Sequence, residues 1–119
     1  MTAPAPTIIH GDVRAVFSGD DLMVLVDQGV DGLWKQRRIR LYGVDTPYAK
    51  HAKPNSPAGR VRDYVRRLTR DRLVQIEIIR DRGPDWLAVL RVETRDGLVN
   101  LNEDLIRQGY AFLHSRKSP

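Results

Sequence analysis

The chain has 119 residues, of which 41% are hydrophobic and 29% charged, so length and composition indicate one globular domain. It has no cysteine, which excludes disulfides and thiolate metal sites. No apolar run approaches the ~18 residues of a membrane span, and the N-terminal residues lack a signal-peptide pattern. We therefore expect a cytoplasmic protein without membrane contact. The net charge is +5, and 16 of the 20 cations are arginine, whose planar fork suits phosphate.

The first half of the sequence predicts three antiparallel strands joined by short turns. Apolar and polar residues alternate over 8–17, as expected of a half-buried strand. The turn signal "SGDD" at 18–21 separates this strand from a second one over Leu22–Val26. After "DQGVDG", a third strand is predicted from about Trp34 to Val44.

The second half predicts a helix, two strands and a second helix. Ser56 and Pro57 form an N-cap and a first helical position, and apolar residues recur at helical spacing over 57–71. Strands follow at Leu73–Ile79 and Trp86–Val92. Asn100 with Glu103 resembles a capping box for the second helix, and Gly109 suits its C-terminal end.

This order, β-β-β-α-β-β-α, predicts a mainly β protein with helices (α+β). Five short strands with a helix between the third and the fourth are typical of a five-stranded Greek-key OB-fold barrel. We expect a flexible N-terminus over residues 1–7, one OB-fold domain over 8–114 and a loose tail over 115–119.

Several short motifs identify a family. "IRLYGVDTP", a following "KH", then "IEI", "LAVL" and "EDLIRQGYA" together resemble the staphylococcal nuclease (thermonuclease-like, SNase) family in order and spacing. The resemblance covers roughly residues 10–113 and implies the OB fold. It also implies calcium-dependent hydrolysis of phosphodiester bonds in nucleic acid.

The resemblance implies a metal site and a phosphate clamp. The Ca²⁺ ligands would be Asp20, Asp45 and the carbonyl of Thr46, with Asp21 as a further carboxylate. These are the oxygen ligands that calcium prefers. Arg40 matches the family arginine that clamps the scissile phosphate. Whether calcium ever fills this site stays open.

Two catalytic positions depart from the family pattern. The family has a glutamate general base directly after Thr-Pro, where this chain has Tyr48. A phenol has a pKa near 10 and is a poor base at neutral pH. The family's second arginine aligns with Asp85, which reverses the charge there. Together the changes predict a weak or inactive nuclease homologue, unless Arg80 or Arg82 substitutes for the lost arginine.

The arginine-rich segments predict contact with nucleic acid or another polyanion. The predicted contact residues are Arg37, Arg38, Lys50, Lys53, Arg60, Arg66, Arg67 and Arg82. Single-stranded DNA or RNA is the expected partner, bound by a monomer. Two alternatives stay open: an active calcium-dependent phosphodiesterase with rearranged residues, and a protein-interaction module on the same scaffold.

Overall fold

The structure is a computed structural model that describes residues 8–47, 49 and 52–113. The described part contains eight strands and two helices. The strands are β1 (Ile9–Ser18), β2 (Asp21–Asp27), β3 (Trp34–Leu41), β4 (Val44–Asp45), β5 (Leu73–Asp81), β6 (Asp85–Thr94), β7 (Gly97–Asn100) and β8 (Phe112–Leu113). The helices are α1 (Pro57–Thr69) and α2 (Leu101–Arg107). The predicted terminal segments 1–7 and 115–119 lie outside the described residues.

Five strands close into a mixed barrel, which confirms the predicted OB-fold arrangement. β1, β2 and β3 form an antiparallel meander, β1 also pairs with β5, and β5 pairs with β6. The barrel closes where β3 and β6 pair in parallel, from Arg38 opposite Asp85 to Leu41 opposite Ala88. β7 extends β6 as a hairpin, and β4 pairs with β8 in a separate two-stranded sheet.

The strands differ from the sequence prediction in one boundary and in their number. The third strand ends at Leu41 rather than near Val44, because the chain turns at Gly43, whose φ is 78°. Three further strands, β4, β7 and β8, were not predicted as separate strands. They have two, four and two residues, which is too short for a two-residue alternation to be recognised.

The core fills the barrel and extends under both helices. Alternate residues of β2 and β3, such as Leu22, Val24 and Ile39, are fully buried inside. Helix α1 adds Val61 and Val65, and helix α2 adds Leu101 and Leu105. The same alternation turns Asp21, Arg38 and Arg40 to the outer side of the sheet.

The predicted helix ends are confirmed. The Ser56 hydroxyl accepts a hydrogen bond from the Gly59 N–H at 3.0 Å, and Pro57 occupies the first turn. Asn100 accepts one from the Glu103 N–H at 3.1 Å. After α2, Gly109 has a φ of 78°, as its predicted C-terminal position requires.

A buried amide ties α2 to the barrel. Asn102 accepts a hydrogen bond from the Leu90 N–H at 3.1 Å. Its amide nitrogen donates to the carbonyls of Tyr42 (2.8 Å) and Ala88 (3.1 Å). One side chain therefore fixes the helix, β6 and the turn after β3 relative to one another.

Neither described helix is long and apolar enough to cross a membrane. The cytoplasmic location stays a prediction.

The two helices also contact each other directly, through Tyr64 and Asp104. The Tyr64 hydroxyl donates to the Asp104 carboxylate, and the Tyr64 ring packs 4.8 Å from that of Tyr110. Burial, and then the hydrogen bond to Asp104, raise the pKa of Tyr64 to about 12. Ionised Tyr64 would lose this bond and face a carboxylate of like charge.

We predict a stability loss at high pH that depends on this hydroxyl. The pKa of Tyr64 is raised on folding. The stabilisation that its hydroxyl provides is therefore complete below the unfolded-state pKa of about 10, and it is lost as the pH rises through the folded-state pKa. At pH 8, Tyr64→Phe should lower the free energy of unfolding by about 2 kcal/mol. The difference from wild type should vanish by pH 12. Urea unfolding across this range measures it, with Tyr42→Phe as the control. A difference independent of pH would contradict the prediction.

Candidate nucleic-acid and metal site

Four segments meet where β3 lies between β2 and β6. The β1–β2 turn brings Asp20 and Asp21, and β3 brings Arg38 and Arg40. The β2–β3 register places Asp21 opposite Arg40, and the β3–β6 register places Arg38 opposite Asp85. Thr46, which follows β4, reaches Asp20 through its hydroxyl. Residues distant in sequence therefore form one charged cluster.

Asp20 is the most enclosed acid of the cluster. Its Oδ1 accepts hydrogen bonds from the hydroxyls of Ser18 (3.0 Å) and Thr46 (2.9 Å). Its Oδ2 lies 3.5 Å from a terminal nitrogen of Arg40. The backbone carbonyl of Asp20 accepts from the Leu41 N–H at 2.9 Å, which holds the turn against the end of β3.

The preceding residue, Gly19, must be small for this geometry. A Cβ at position 19 would lie 2.5 Å from Val61 Cγ1 and 2.7 Å from Thr46 Cγ2. The turn can therefore approach both α1 and Thr46 only because this residue is glycine.

Asp21 binds two of the three arginines of β3, Arg38 and Arg40. Its two oxygens accept from Arg38 at 2.5 and 2.6 Å in a bidentate pair, and Arg40 lies 3.4 Å from Oδ2. The hydrogen bond to Asp21 raises the pKa of Arg38, which is already fully protonated at neutral pH. Arg40, which the resemblance predicts to be a phosphate clamp, therefore forms ion pairs with Asp20 and Asp21 in this structure.

Asp85 is also bound to an arginine. Its two oxygens accept from Arg82 Nε and Nη2 at 2.7 Å each. The charge of Asp85 also helps to raise the pKa of Arg38, which lies opposite Asp85 in the β3–β6 register. Position 85, which was predicted to have lost the family's second arginine, thus carries a carboxylate that interacts with Arg82 and Arg38. Arg82, considered as a substitute clamp, is bound by Asp85 itself.

The loop after β4 is fastened at both ends. Thr46 binds Asp20, and the Arg62 guanidinium donates to the carbonyls of Ala49 (3.3 Å) and Ala52 (3.1 Å). A Cβ at Gly59 would lie only 2.0 Å from the Lys53 carbonyl oxygen, so α1 and the loop backbone are in close contact. Tyr48, Lys50 and His51 within this loop lie outside the described residues.

The carboxylate oxygens of Asp20 and Asp21 are arranged to bind arginine side chains rather than a calcium ion. Asp21 has both oxygens on Arg38, and Asp20 is shared by two hydroxyls and Arg40. Among the described residues, no three acidic or histidine side chains are grouped so that they could hold a metal ion. Asp45 is half-buried in β4, opposite Phe112 of β8. Calcium at Asp20, Asp45 and Thr46 stays a prediction from the resemblance.

The cations predicted to contact nucleic acid are spread over two surfaces. Arg38 and Arg82 belong to the cluster, and Arg37 stacks 5.1 Å from the ring centre of buried Trp86. The others lie on or next to α1, where the exposed ones are Lys53, Arg60, Arg66 and Arg67. Lys50 falls among the residues that the structure does not describe.

The comparisons with known proteins agree with the fold. The sequence profile of the family described as staphylococcal nuclease homologue matches residues 38–119, more than half of the chain. The chain belongs to the staphylococcal nuclease family. No curated protein matches it. In this family member, Arg40, Asp45, Tyr48 and Asp85 fall inside the matched range, whereas Asp20 and the rest of the β1–β2 turn precede it.

The sequence did not predict two features of the family member's site. Arg62 was not singled out from the sequence, but it is half-buried and anchors the loop. The Asp21–Arg38 pair joins residues 17 positions apart. Its only sequence signal is the alternation of the two strands. Asp21 directly precedes inward-facing Leu22, and Arg38 directly precedes inward-facing Ile39, so both side chains face outward.

The Asp21–Arg38 pair should contribute measurably to stability. Asp21→Asn removes a short, largely buried bidentate contact, and we expect the free energy of unfolding to fall by about 2 kcal/mol. Asp12→Asn is the matched control, since Asp12 pairs with Arg14 at 3.1 Å on the exposed surface. That variant should change stability by less than about 1 kcal/mol. Urea unfolding of both variants measures the difference, and equal losses would contradict the prediction.

Proposed function

We propose that this domain binds single-stranded DNA or RNA and hydrolyses phosphodiester bonds weakly or not at all. The observation that carries the proposal is the charge balance of the cluster. Arg38, Arg40 and Arg82 each contact a carboxylate, and the acids Asp20, Asp21 and Asp85 match them in number. The formal charge of these six side chains is zero.

A neutral cluster is poorly suited to hydrolysis. Charge develops on the phosphate in the transition state, and donors already oriented at that charge supply much of the rate enhancement. Here the guanidinium groups are oriented at aspartates instead. Losing one such donor typically costs about 3–4 kcal/mol of transition-state stabilisation. The tyrosine at position 48 adds the loss of a general base, worth about 10²- to 10⁴-fold.

One feature supports residual anion binding at the cluster. The Arg40 side chain is 37% exposed although it contacts Asp20 and Asp21, so part of it can be approached from solvent. Arg40 would then position a phosphate, but its two contacts with Asp20 and Asp21 would limit the affinity.

The exposed face of α1 supplies the free cations. The guanidinium groups of Arg60 and Arg67 are exposed and form no ion pair within the described part of the chain. Exposed Lys53 lies just before the helix. Cations without acidic partners are the ones that release counterions when they neutralise phosphates. We therefore attribute most of the proposed affinity to the cations of α1. The neighbouring cluster would orient the bound strand.

Binding should be salt-dependent and should depend on α1. Labelled single-stranded DNA should bind at low salt, with an affinity that falls steeply as salt rises. Arg60→Ala with Arg67→Ala should reduce the slope of log affinity against log salt by about 1.4, at about 0.7 for each phosphate contact. Arg95→Ala in the β6–β7 turn is the matched exposed control. Fluorescence anisotropy measures the slopes, and absent binding or a flat salt dependence would refute the proposal.

Catalysis should be absent or very slow in the wild type and recoverable by restoring two charges. With purified protein, calcium should produce little cleavage over a chelator control. Tyr48→Glu with Asp85→Arg should create calcium-dependent cleavage, and adding Arg40→Ala should abolish it. Efficient wild-type cleavage that requires calcium and Arg40 would instead establish the active phosphodiesterase.

A protein partner is the second candidate. Phe112 and Leu113 of β8 are 77% and 74% exposed, and together they form an apolar surface beside α2. Phe112→Ser with Leu113→Ser should leave DNA binding unchanged. A change in oligomeric state between the two proteins, measured by analytical ultracentrifugation, would support self-association through β8.

A further inference from the structure

A groove of about 490 Å³ runs between β1 and α1. It exists because β1 pairs with β5 only from Ile9 to Asp12, where Asp12 stands opposite Leu73. Beyond Asp12, α1 lies along this edge of β1 in place of a strand. The β1 backbone is also irregular here, with register shifts against β2 between Val13 and Ala15 and between Val16 and Ser18.

The groove is lined by three arginines and two aspartates. Arg14 pairs with Asp12 at 3.1 Å. Arg66 lies 3.4 Å from Asp63, and its other terminal nitrogen donates to the Val16 carbonyl at 3.2 Å. Arg70 is exposed, and its guanidinium forms no hydrogen bond or ion pair within the described part of the chain. The second acid, Asp71, follows it.

An aromatic ring stands at the end of the groove nearest the cluster. Phe17 is 40% exposed, and the Arg38 guanidinium lies 4.3 Å from its ring centre. Arg38 in turn binds Asp21. Phe17, which lines the groove, therefore connects it to the cluster through Arg38.

We infer that this groove is a second nucleic-acid subsite, which takes the single strand as it leaves the cluster. Phe17 would stack a base, and Arg70, assisted by Arg66, would bind the backbone phosphate that follows. Cations along a groove with an aromatic platform are the usual arrangement for single strands. An acidic peptide along the β1 edge would use the arginines but gives no role to the exposed Phe17 ring. The inference rests on the proposed binding of nucleic acid.

Two matched pairs of variants test the subsite. Arg70→Ala is compared with Arg95→Ala, since both remove one exposed guanidinium. Phe17→Leu is compared with Trp34→Leu, since Phe17 and Trp34 are each 40% exposed. Thermal unfolding of all four variants verifies that they fold. Anisotropy is then measured with single strands of about 4 and about 12 nucleotides, which span the range of footprints seen for OB folds.

For the longer strand, Arg70→Ala and Phe17→Leu should each weaken binding about 5-fold or more, which for Phe17→Leu corresponds to one lost stacked base. Arg70→Ala should also lower the salt slope by about 0.7. Neither control variant should weaken binding or lower the salt slope in this way, and binding of the short strand should change less.

If the wild type binds but both groove variants match their controls, the subsite is wrong while the proposed function stands. If the wild type binds no single strand, both are wrong. Binding of an acidic peptide that requires Arg70, with DNA binding unaffected, would overturn the subsite in favour of a protein ligand.

Discussion

The parallel pairing of β3 with β6 is the contact on which the rest of the molecule depends. It turns an open sheet into a barrel, and it places β3 between two neighbours, β2 and β6. The outward side chains of β3 consequently have a strand on each side. Arg38 has Asp21 on one flank and Asp85 on the other, so the closure of the barrel also sets the electrostatics of its surface.

In the resulting cluster the arginines are bound by acids of the same chain. Arg40 approaches Asp20 and Asp21, and Asp85 binds Arg82. Each pair stabilises the local geometry, and each also occupies guanidinium N–H groups. The exposed Arg60 and Arg67, which form no ion pair within the described part of the chain, lie instead on α1.

Much of the fold could be predicted because its signals are local. Ser56, Asn100 and Gly109 mark helix ends through interactions within a few residues. The two-residue alternation gave the barrel strands but not the four residues of β7. The site was harder to predict, since the Asp21–Arg38 pair depends on register. The role of Arg62 was not predicted, because helical spacing does not distinguish an exposed arginine from one that donates to the carbonyls of a preceding loop. The roles at positions 45 and 48 stay predictions.

The fastening of the β4–α1 loop has an evolutionary consequence. Thr46 is held by Asp20, the carbonyls of Ala49 and Ala52 are held by Arg62, and Gly59 lets the helix pack on the Lys53 carbonyl. None of these restraints involves the side chain at position 48. Substitutions at position 48 during evolution would therefore leave each of these restraints in place. The packing of the loop against α1 and the β1–β2 turn constrains the neighbouring residues more than it constrains this one.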